Sequence, residues 1–113
     1  MSAITTHVLD TSIGKPAAHV HIKLERKEGN AFVVIGGGAT DADGRLRTLI
    51  PDGVRPQATT HRLTFSVGDY FAGRGITTFF PTVEITFAIT APAEHHHVPL
   101  LVSPFGYSTY RGS

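Results

Sequence analysis

Seven histidines, nine carboxylates and no cysteine make imidazole the main source of acid–base chemistry near neutral pH in this 113-residue chain. The run Glu94-His95-His96-His97 is the most conspicuous group. On a strand, His95 and His97 project to one side, as in a His-x-His half-site for a metal ion. With His7 they would give a three-His zinc site that leaves one position open to water. The competing reading places His95 and His96 in a solvated loop and only His97 in a sheet. No second His pair or carboxylate is placed beside the trio, so the spacing does not favour zinc. His19 and His21 share a polar face with Lys23 and Glu25 and read as solvated. Arg45 follows the turn Asp43-Gly44, where an arginine is ordinarily a surface charge. If its strand faces the same cavity as His7 and His97, its guanidinium can grip a planar, electron-rich substrate with two parallel hydrogen bonds.

Other chemistries find less support, a Ser-His-Asp hydrolase standing as a weak alternative. Without cysteine there is no disulfide, thiolate zinc site or cysteine nucleophile. No Gly-x-Ser-x-Gly elbow is present, and Ser103, Ser108 and Ser113 lie near Gly or Pro as turn residues do. Gly36-Gly37-Gly38 is followed by no Lys-Ser/Thr and reads as a strand end or bulge, not a phosphate loop. A net charge of +1 with scattered Lys and Arg gives no nucleic-acid footprint. No segment approaches the length of a membrane span, the first residues lack a basic start and apolar run, and Arg111-Gly112-Ser113 is no peroxisomal address. The expectation is a cytoplasmic protein of one domain, residues 1–113.

The elements that must carry these residues have a period of two. Val20, Ile22 and Leu24 alternate with His19, His21, Lys23 and Glu25; Leu63, Phe65 and Val67 alternate likewise, as do Val83, Ile85, Phe87 and Ile89. Turn signals separate them at Gly14-Lys15-Pro16, Glu28-Gly29-Asn30, Asp41-Ala42-Asp43-Gly44, Pro51-Asp52-Gly53 and Ser103-Pro104-Phe105-Gly106. Further strands are expected near 4–9, 31–36, 45–49, 97–103 and 106–111, and a short helix within Val67 to Arg74. The fold class is all-β: a two-sheet antiparallel sandwich with a single short helix. Two strands break the one-sided pattern. Around Val98, Leu100 and Val102 the other face carries His97, Pro99 and Leu101, and the first strand sets His7 and Leu9 against Thr6 and Val8. Strands apolar on both faces, each with a His, imply a second face that meets another subunit.

Five segments together resemble the 5-hydroxyisourate hydrolases, or transthyretin-like proteins. They are Thr6-His7-Val8-Leu9-Asp10, Thr40-Asp41-Ala42-Asp43-Gly44-Arg45, Phe79-Phe80-Pro81, His97 to Pro104, and the closing Tyr107-Ser108-Thr109-Tyr110-Arg111-Gly112-Ser113. The likeness runs essentially end to end, and the final Tyr-Arg-Gly-Ser separates the enzymes from hormone-carrying transthyretins. It implies a transthyretin-like sandwich of about eight strands, assembled as a dimer of dimers around a channel. The implied reaction is hydrolytic opening of 5-hydroxyisourate, a cyclic amide of urate breakdown, to 2-oxo-4-hydroxy-4-carboxy-5-ureidoimidazoline. His7, Arg45 and His97 match the catalytic residues; His7, Arg45, Ser108, Tyr110, Arg111 and Ser113 are the residues expected at the substrate. No cofactor or metal is implied. Either His7 or His97 can serve as general base, and the alternative to catalysis is a small-ligand carrier. His96 departs from the family, standing where an aromatic residue, often Tyr, is common.

Overall fold

Alternating apolar residues build two sheets that meet across their apolar sides. The computed structural model describes residues 2–113. Its strands are β1 (Ile4–Asp10), β2 (Lys15–Pro16), β3 (His21–Glu28), β4 (Ala31–Ala39), β5 (Arg45–Leu46), β6 (Thr60–Phe65), β7 (Val83–Ala88), β8 (His96–Ser103) and β9 (Gly106–Thr109), with one helix, α1 (Val67–Gly73). One sheet runs β2-β1-β8-β9 with β5 also paired to β1; the other runs β4-β3-β6-β7. All pairings are antiparallel except that of β1 with β8, which is parallel. Periodicity cannot reveal that exception, because both senses of pairing leave the same alternation.

Ile4 and Val8 of β1 and Val98, Leu100 and Val102 of β8 face Ile22 and Leu24 of β3, Leu63 and Phe65 of β6, and Val83 and Ile85 of β7; all are buried. The helix lies where expected and buries Val67 and Phe71. Tyr70 Oη and Arg74 Nη1 each donate to Asp10 Oδ2 at 2.8 Å, which ties α1 to the end of β1 at a fully buried carboxylate. Gly36, Gly37 and Gly38 fall inside β4, opposite a register shift between Leu24 and Glu25 of β3. The expected strand at 45–49 is only two residues long, and the last strand ends at Thr109.

The loop reading of His96 is corrected here. His96 opens β8 with its side chain turned into the core, 5% exposed, and His61 of β6 is fully buried. The His61 Nδ1–H donates to the Thr59 carbonyl at 3.0 Å, which leaves Nε2 unprotonated beside the Phe87 ring, 5.8 Å away between centroids. Burial pushes both imidazoles below the ordinary value of 6.5. The unfolded chain therefore binds protons that the fold refuses as pH falls below that value, so acid drains stability. His61→Phe removes one such site and keeps a ring against Phe87. Its urea midpoint should fall less between about pH 7 and 5 than that of the parent chain; an equal fall in both proteins would show that the buried imidazole is not responsible.

Candidate active site

The site is laid out by register. Along β1, Ile4, Val8 and Asp10 turn inward and are fully buried, so Thr5, His7 and Leu9 face outward. In the parallel pairing Thr5 stands opposite His97 and His7 opposite Pro99, and in the antiparallel pairing with β5 His7 stands opposite Arg45. Paired residues share a face. His7, Arg45 and His97, on three adjacent strands, therefore meet on the outer side of one sheet, away from the core.

The turn before β5 fixes where Arg45 starts. Asp41 Oδ1 accepts from the backbone N–H of Asp43 at 2.9 Å and of Arg45 at 3.0 Å, while Gly44 N–H donates to the Asp41 carbonyl at 2.9 Å. These bonds hold the Asp41 carboxyl below its ordinary range. Gly44 adopts φ +74°, and a Cβ there would sit 2.4 Å from the Val8 carbonyl oxygen, so only glycine lets this turn press against β1. The same turn orients His7, whose Nε2–H donates to the Asp43 carbonyl at 2.9 Å and so leaves Nδ1 as the basic nitrogen of the neutral ring.

Thr5, Thr6, Arg45, Arg47, His95, His97 and Ser113 line a cavity of about 160 Å³. Thr5 Oγ1 lies 2.8 Å from His97 Nδ1 and 2.7 Å from His95 Nε2. A hydroxyl thus stands between the two rings of the His-x-His pair, and among the described residues no group of three or more His, Asp or Glu is placed to hold a metal ion. The tail reaches the site through its last two residues. Gly112 N–H donates to the His97 carbonyl at 2.8 Å, and a Cβ on Gly112 would fall 2.5 Å from His97 Cδ2. Pro99 is buried beneath this crossing.

Not every expected residue converges within one chain. His7 borders the cavity without lining it. Ser108, opposite Leu101, is exposed on the same outer face. Tyr110 and Arg111 line a second hollow of about 320 Å³ between the sheets, which His97 also borders, and Arg111 pairs with Glu94 at 3.0 Å on the surface. Sequence reasoning missed Thr5, Thr6 and Arg47. Thr5 had one usable signal, since it shares the parity of His7 on a strand already marked as two-sided.

The family model described as HIUase/Transthyretin family matches residues 4–112. The chain belongs to this family. A 5-hydroxyisourate hydrolase of Mesorhizobium japonicum is 47% identical over 97% of this chain and 91% of its own length. The solved structure of Klebsiella pneumoniae 5-hydroxyisourate hydrolase superposes with a TM-score of 0.84 at 37% identity, covering 97% of this chain and 98% of the other. Sea bream transthyretin, solved in complex with thyroxine, superposes with a TM-score of 0.89 at 31% identity, covering 98% of this chain and 95% of the other. Within the HIUase/transthyretin family, backbone shape therefore does not separate hydrolase from transthyretin; side chains must.

Among the expected catalytic residues, His97 is one whose protonation its surroundings shift. Burial pushes its imidazole below the ordinary range, and the positive charges of Arg45, His7 and His95 push the same way. A neutral ring that resists protonation is available as a base at neutral pH. If Arg45 contributes as described, Arg45→Gln should move the His97 titration upward in proton NMR spectra. An unmoved titration would mean that burial alone sets it.

Proposed function

We propose that this chain is a 5-hydroxyisourate hydrolase whose catalytic residues are His7, Arg45 and His97. The observation that carries this reading is the meeting of those three side chains on one sheet face, in a chain that matches 5-hydroxyisourate hydrolases along nearly its whole length. In the proposed reaction His97 accepts a proton from water as the water oxygen attacks a ring carbonyl carbon. The ring C–N bond then breaks and the departing nitrogen takes a proton from solvent. Arg45 stabilises the charge that develops on the carbonyl oxygen, where a fixed cation acts more strongly than solvent. His7, held through Nε2 by the Asp43 carbonyl at the border of the cavity, orients the water or the substrate. No step draws on a cofactor.

Ser113, already in the cavity lining, would bind substrate directly. Ser108, Tyr110 and Arg111 would do so through assembly. Leu9 and Leu101, half-buried on the outer face beside the site, suit a contact between copies of the chain. A homotetramer built as a dimer of dimers would close the open cavity and bring exposed tail residues to a substrate. A cytoplasmic location fits a pathway enzyme; among the described residues no helix is long and apolar enough to cross a membrane.

The test is to add the protein to freshly oxidised urate and follow decay of the ultraviolet-absorbing intermediate. His7→Ala, Arg45→Ala and His97→Ala should each lose about 10²-fold or more in rate while keeping the parent's melting temperature and assembly size. Parent-like rates in all three variants would refute the site. Gly112→Ala should also lower kcat, because its new methyl group displaces the His97 ring; unchanged kcat would mean that the tail yields instead.

A further inference from the structure

The Thr5 hydroxyl carries one proton and touches a nitrogen of each of two imidazoles, at 2.7 Å for His95 and 2.8 Å for His97. One such oxygen can donate to only one ring and must accept from the other. We propose that Thr5 is a positioning residue that ties the proton positions of His95 and His97 together and relays a proton from His97 outward to His95. The proposal rests on the hydrolase reading above.

In the neutral site two arrangements satisfy all three groups. In one, the His97 Nδ1–H donates to Thr5 Oγ1 and the Thr5 hydroxyl donates to His95 Nε2; both rings then carry their proton on Nδ1. In the other every bond is reversed and both rings carry it on Nε2. The two rings always hold the same tautomer. Only the first arrangement leaves His97 Nε2 bare, so it is the base-ready state.

When His97 Nε2 takes a proton from water, the His97 Nδ1–H passes to Thr5 Oγ1 as the Thr5 hydroxyl proton passes to His95 Nε2. One N–H and one O–H bond break, and one O–H and one N–H bond form. His97 ends neutral and the positive charge rests on His95. The direction follows from the surroundings. His97 faces His7 from β1, Arg45 from β5, Arg47 across the cavity, and Tyr110, Arg111 and Ser113 on the tail. Burial and the cations Arg45 and His7 both disfavour an imidazolium there. His95 is exposed, so water solvates its charge and accepts its proton.

Thr5→Val keeps the β-branched shape without the hydroxyl, Thr5→Ser keeps the hydroxyl, and His95→Gln accepts the Thr5 hydrogen bond but takes no proton. Thr5→Val and His95→Gln should each lower kcat by about tenfold or more with KM little changed, and Thr5→Ser should recover most of the rate. Long-range proton–nitrogen spectra of histidine-labelled parent protein should show both rings protonated on Nδ1, and in Thr5→Val the two should no longer agree. Opposite tautomers in the parent protein, both rings on Nε2, or parent-like kcat in Thr5→Val would each overturn the proposal. A parent protein inert toward 5-hydroxyisourate would instead sink the hydrolase reading, while the tautomer spectra would still decide the role of Thr5.

Discussion

The parallel pairing of β1 with β8 is the constraint on which the site depends. Because side chains alternate with a period of two, a slip of β1 by one residue would send His7 into the core and bring Val8 to the surface. A slip by two would keep every face correct and still part Thr5 from His97. The hydrophobic pattern forbids the first error strongly and the second hardly at all. Something besides core burial must set the register to the residue.

The ends of β1 supply it. At the start, Ser2 Oγ donates to the Ile4 carbonyl at 2.8 Å and accepts from the Ile50 N–H at 3.2 Å, while His96 N–H reaches the Ala3 carbonyl at 2.9 Å. At the far end, Asp10 is gripped by Tyr70 and Arg74, and Thr11 N–H donates to the Val102 carbonyl at 2.9 Å. A two-residue slip would leave the buried Asp10 carboxylate without the partly exposed Arg74 guanidinium that compensates its charge. In the middle, Thr6 Oγ1 donates to the Val98 carbonyl at 2.6 Å. Polar bonds thus specify the position that apolar contacts leave degenerate.

This division explains how much of the molecule was legible in the sequence. The sandwich, the helix and most strand positions follow from periodicity and turn residues, which are local signals. The two-sided character of the strands carrying His7 and His97 was legible for the same reason. Pairing sense and register were not, since they depend on contacts some ninety residues apart in the chain, such as Thr5 with His97. His7, Arg45 and His97 came from resemblance, and the spacing of residues alone left zinc ligation open. The inward turn of His96 was equally hidden: three adjacent histidines look alike in sequence, while the sheet points one into the core and leaves its two neighbours on the outer side.

That alternation has a chemical consequence. The outer face gathers His7, Arg45, Arg47, His95 and His97, and among the described residues no Asp or Glu side chain lines the cavity. An anionic or electron-rich substrate is attracted to such a surface, but each cation also makes the next protonation harder. In the proposed reaction binding and base catalysis would therefore pull in the same direction: the charges that would hold the substrate also disfavour protonation of His97. The cost falls on the proton once abstracted, which arrives where a further positive charge is least welcome. A site of this kind needs an exit for that proton as much as it needs a base. The Thr5 hydroxyl, one bond from His97 and one from the exposed His95, stands where such an exit would have to be.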